Sequence, residues 1–137
     1  MTEFELISLF NAFFDDTFSR LADFMTGTFA MLISAFFAGP KLSKYMARLL
    51  IFLYTLFSVA TAVPTLAASY RFTQAAGLLR EMAQSPDSVV GQIFPTLPSP
   101  YAVMPVMTLI LVGAYVGTLA FFLQSRKGVA PSADKLV

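Results

Sequence analysis

The chain has 137 residues, enough for one domain, and carries a net charge of +1. Hydrophobic residues make up 57% and charged residues 12%, half the ~25% usual in a soluble domain, which points to a membrane protein. With no His and no Cys, the usual zinc, haem and iron–sulfur ligands, thiol nucleophiles, disulfides and Ser–His pairs are excluded.

Residues 4–38 carry one narrow polar or small stripe at helical phase: Glu5, Ser8, Ala12, Asp16, Ser19, Asp23, Gly27, Ala30 and Ser34. The rest of that surface is mostly Phe, Leu, Ile and Met, so the spacing predicts one helix, or two joined in register. Thr2 is placed to cap it, with Glu5 three residues on. The acidic start is unlike the basic start of a cleaved leader, so Met1 is expected to be native. No charge occurs from Phe24 to Pro40, which predicts a span over 21–38 with Asp23 at its outer edge. Gly39-Pro40 stops the helix.

Residues 41–48 hold Lys41, Lys44 and Arg48 and no acid. A charge-free run follows over 49–70, the predicted second span, with Pro64 as a kink rather than a break. Thr55, Ser58, Ala62, Thr65, Ser69, Thr73, Ala76 and Arg80 then share one face, which carries the helix on to about Gln84. Four prolines and one glycine make 85–100 a loop of extended character. A third charge-free span runs over 101–124, with Pro105 in its first turns, and 128–137 is expected to be a flexible tail. The fold class is therefore all-α: a single membrane domain over 1–127 with three transmembrane helices.

Six Lys and Arg residues (Lys41, Lys44, Arg48, Arg126, Lys127, Lys135) fall on one side of these spans, and only Arg20, Arg71 and Arg80 on the other. Positive residues favour the cytoplasmic side, so the N-terminus is expected outside and the C-terminus in the cytoplasm of a bacterial inner membrane. Helix one, at ~52 Å, exceeds the ~30 Å hydrocarbon layer, and helix two does the same. The pattern predicts a long antiparallel hairpin that projects beyond the outer membrane surface, with ion pairs among Glu5, Asp16, Arg71 and Arg80. The alternative is a bend at Asp15-Asp16-Thr17 that lays the N-terminal arm on the membrane.

Three small-residue stripes predict the helix seams: Gly27, Ala30 and Ser34; Ser58, Ala62 and Thr65; and Gly113, Gly117 and Ala120. The last is a GxxxG pattern, which serves either self-association or packing inside the same chain. Asp23 is the candidate functional acid, since an ionisable group near the apolar layer is costly without a role or partner. Lys41, Lys44, Arg48, Arg126 and Lys127 are candidates for contact with lipid at the inner surface. No nucleophile–base pair or phosphate loop is present, so neither an enzyme nor a cofactor is expected, and nucleic acid is not an expected partner. The expected partners are the lipid bilayer and either another membrane protein or further copies of the chain. The expected function is protein–protein interaction, as an accessory subunit of a membrane complex or a self-associating scaffold. The alternative is a small oligomeric channel or transporter with Asp23 near its path.

Overall fold

A computed structural model describes residues 2–85, 88, 91 and 99–127. Three helices make up its framework: α1 (Glu3–Ala38), α2 (Lys44–Ala83) and α3 (Pro100–Arg126), with a single 3-10 turn (Gly39–Lys41) between the first two. All three are long and apolar enough to cross a membrane. Most of the loop expected at 85–100, and the tail at 128–137, lie outside the described residues.

Local chemistry sets the ends. The Thr2 amide donates to Glu5 Oε2 at 2.8 Å while the Glu5 amide donates to Thr2 Oγ1 at 3.3 Å, a reciprocal cap that satisfies two otherwise orphaned donors. Pro40 ends α1 and sits in the 3-10 turn, and the Met46 amide donates to Ser43 Oγ to open α2. Gly39 allows a close approach, since an added Cβ would lie 2.7 Å from Ser125 Oγ and that hydroxyl would have to turn away. The turn thus rests directly on the end of α3.

α2 runs unbroken through Pro64. Proline has no amide proton, so the Ala60 carbonyl loses its helical donor. The Thr61 hydroxyl bonds Phe57 O at 2.9 Å, and that of Thr65 bonds Thr61 O at 2.7 Å, reinforcing the turns on either side.

The buried faces of α1 and α2 repeat every seven residues. On α1 it runs Phe10, Thr17, Phe24 and Met31; on α2 it runs Ser58, Thr65, Phe72 and Leu79. That spacing is the seam of a coiled coil, in which two helices stay in contact along their length. Leu6 and Phe10 pack with Phe72, Ala75, Ala76 and Leu79. Phe24 packs with Met107 and Leu111, and Met31 and Ala35 pack with Ala47, Tyr54 and Phe122. α1 is continuous through Asp15, Asp16 and Thr17, and its first turns pack on α2 instead of bending away. The outside is strongly apolar: Phe37 is 72% exposed and Leu109 74%.

Candidate functional site

A cluster of hydroxyls joins the three helices at their centre. Thr28 on α1 lies 3.3 Å from the Tyr54 hydroxyl on α2, and Thr55 on α2 lies 2.9 Å from the Tyr115 hydroxyl on α3. The two tyrosine rings stack at 5.6 Å with a 17° tilt. Thr28 donates to Phe24 O at 3.0 Å and Thr55 to Ile51 O at 2.8 Å, which uses the single proton of each hydroxyl. Both tyrosines must therefore be the donors across the helix gaps. Tyr115→Phe removes only the Thr55 link and leaves the stack, so a loss of ~0.6 kcal/mol and no more than ~1.7 kcal/mol is expected. Reversible unfolding in detergent measures it. Neither tyrosine is among the site residues expected from the sequence; the available signal was that each is an aromatic hydroxyl inside a charge-free run.

The predicted small-residue seams come out unequally. Ser58 and Thr65 are buried and Ala62 is half-buried against Phe24. Gly27 receives the Phe57 ring, which an added Cβ would displace, and with Ala30 and Ser34 it borders a groove against α2. Ala30 itself is exposed. The centre of the α1 contact is the neighbouring face, Phe24, Thr28, Met31 and Ala35. Gly113 and Gly117 have open space where a Cβ would stand, and Ala120 is exposed with them. Among the described residues, the GxxxG face is therefore not used within the chain.

The expected ion pairs of Arg71 and Arg80 do not form. Among the described residues the single salt bridge joins Arg20 Nε to Asp16 Oδ1 at 2.9 Å. Four-residue spacing gives Asp16 a partner on its own helix, and Glu5 is held by Thr2 in the cap. Arg71 and Arg80 stay exposed.

Asp23 stands at a different level from the one the span 21–38 predicts. It precedes Phe24, which packs on Ala62 and Leu66 of α2 and Leu111 of α3, near the middle of both charge-free runs. Phe72, just past the end of the α2 run, meets Phe10 and Phe14. Asp15, Asp16, Arg20 and Asp23 thus all lie alongside the apolar run of α2. The reason is the turn: the α2 run begins several residues beyond it, whereas that of α1 reaches it, so the two runs are offset in height. Asp23 is exposed and makes no ion pair among the described residues.

Lys41, Lys44, Arg48, Arg126 and Lys127 gather at the turn end, where Gly39 meets Ser125, and form no ion pair among the described residues. No group of three or more His, Cys, Asp or Glu that could hold a metal occurs among the described residues. Compared with protein-family models, curated proteins and solved structures, the chain matches none.

Proposed function

We propose that this chain is a small integral membrane protein that acts through contacts with other membrane proteins, as an accessory subunit of a complex or a self-associating scaffold. The observation that carries this reading is Asp23, exposed on the outside of the bundle at the height where α2 and α3 carry no charge. A charge at such a depth costs at least ~2.5 kcal/mol if it faces lipid, and a neighbouring chain with a complementary polar group relieves that cost. The open Gly113 and Gly117 face supports the same reading, because close helix contact is what small residues permit.

The orientation that fits has the N-terminus outside and the C-terminus in the cytoplasm of a bacterial inner membrane. Tyr45 at one end is 84% exposed and Tyr101 at the other is 85% exposed, suiting the two interfacial belts. The basic turn end then meets anionic headgroups, each charge contributing about 1 kcal/mol. The opposite end, around Leu6 and Leu79, reaches past the outer surface. Labelling checks this orientation: a cysteine at Ser8 should react with an impermeant maleimide in intact cells, and one at Lys127 only after permeabilisation.

The function is tested by the mass of the purified chain in native-lipid nanodiscs. A dimer, a larger assembly or a defined second protein is expected. A bare monomer that passes no ions removes the reading. Ion flux in liposomes that falls with Asp23→Asn replaces it with an oligomeric channel whose path runs between copies.

A further inference from the structure

A cavity of about 230 Å³ opens between α2 and α3 beside the tyrosine stack, walled at the back by Phe24 of α1. Thr55, Ser58 and Tyr115 line it, and Val59 and Val112 belong to its wall while being 57% and 55% exposed on the outer surface. Its mouth therefore faces the surroundings of the bundle, which are lipid in the membrane reading above.

Ser58 stands apart from the other hydroxyls of α2. Thr55, Thr61, Thr65, Ser69 and Thr73 each donate to the carbonyl four residues earlier. Ser58 is 4% exposed, and its Oγ has no hydrogen-bond partner among the described residues. A buried hydroxyl normally has one, and an exception in a cavity wall calls for a missing acceptor. The size is also informative. An apolar cavity of ~150 Å³ accepts benzene, so this one has room for a substituted ring. Phe24 and Tyr115 offer ring faces to it. An acyl chain would fill such a space but would bring no polar atom to Ser58 at this depth.

We propose that the cavity binds the ring of a lipid-soluble carbonyl compound, of the class of substituted benzoquinones, which enters from the membrane past Val59 and Val112 and accepts a hydrogen bond from Ser58 Oγ. This site is independent of the protein contacts proposed above, since it lies on neither the Asp23 face nor the Gly113–Gly117 face.

The test is equilibrium dialysis of the full chain in detergent micelles with trimethyl-1,4-benzoquinone, with toluene as the ring without an acceptor. Saturable binding of one quinone per chain is expected, corrected for partition into empty micelles. Ser58→Ala should weaken quinone binding about threefold to tenfold, the effect of one neutral hydrogen bond, and leave toluene unchanged. Ala62→Phe, which fills the cavity, should abolish both. Val112→Trp, at the mouth, serves the same purpose if circular dichroism shows that Ala62→Phe does not fold. No saturable quinone binding, equal affinities for wild type and Ser58→Ala, or binding that survives the filling variant overturns the proposal.

Discussion

Leu79→Ala is expected to destabilise the protein by about 2–4 kcal/mol, the largest single-residue effect on folding anticipated here. Leu79 is fully buried, and its cluster contains Leu6, Phe10, Phe72, Ala75 and Ala76. No small movement closes the resulting hole, because those neighbours lie on two long helices held in register by the rest of the seam. In the orientation proposed above, the cluster also differs from the other two in its surroundings. Within lipid, burying a leucine exchanges one apolar environment for another, so packing alone supplies the gain. Beyond the membrane surface the same burial removes apolar area from water, at roughly 25 cal/mol per Å². Leu78→Ala is the control: Leu78 is 47% exposed and outside the cluster, so under ~0.5 kcal/mol is expected. Reversible unfolding in detergent gives the magnitudes, and amide hydrogen exchange in nanodiscs gives their location. In Leu79→Ala, protection should fall in the first turns of α1 and the last turns of α2, and hold around Phe24 and Phe122. An exchange increase spread evenly over all three helices would mean that the end cluster is not a separable unit.

The elements themselves were readable in the sequence, because their causes are local. Thr2 with Glu5, the Gly39-Pro40 stop and the continuation of α2 to Gln84 all follow from chemistry within a few residues, and each is found. The choice of buried face was less readable. In a soluble helix the apolar side is the inner side, but lipid accepts apolar residues equally well outside. The polar and small stripe of α1 therefore marked a direction without saying inward or outward. The seam formed on the adjacent Phe10, Thr17, Phe24 and Met31 positions, whose seven-residue spacing was present in the sequence. Ion pairing was misjudged for a related reason. The antiparallel arrangement brings Arg71 and Arg80 towards the acidic arm, yet local partners at three- and four-residue spacing had already engaged Glu5 and Asp16. Neither the height of Asp23 nor the tyrosine stack was readable, since each depends on how far three helices slide past one another.

Two faces remain open, and one pair of variants separates them. Gly117→Leu should leave the folded monomer intact, because no described residue lies within 4 Å of the position its Cβ would take. The same space is what a neighbouring helix needs for close approach, so a bulky residue there should weaken self-association by tenfold or more, about 1.4 kcal/mol. Asp23→Asn acts on the other side of the argument. In the membrane reading proposed above it removes a charge from the lipid-level surface, so the isolated chain should become more stable or unchanged. Any partner that supplied the opposite charge should bind more weakly, by an amount that reflects its own stranded cation. Energy transfer between labelled copies in liposomes, with dilution into excess lipid, reads both. If Gly117→Leu alone disperses the copies, α3 is the contact between copies and Asp23 faces a different protein. If Asp23→Asn alone disperses them, the copies meet through α1, with Arg20 of one chain near Asp23 of the next. If neither does, and wild type associates, contact runs through the exposed phenylalanines of α1 and α2, and the small-residue reading of α3 is wrong.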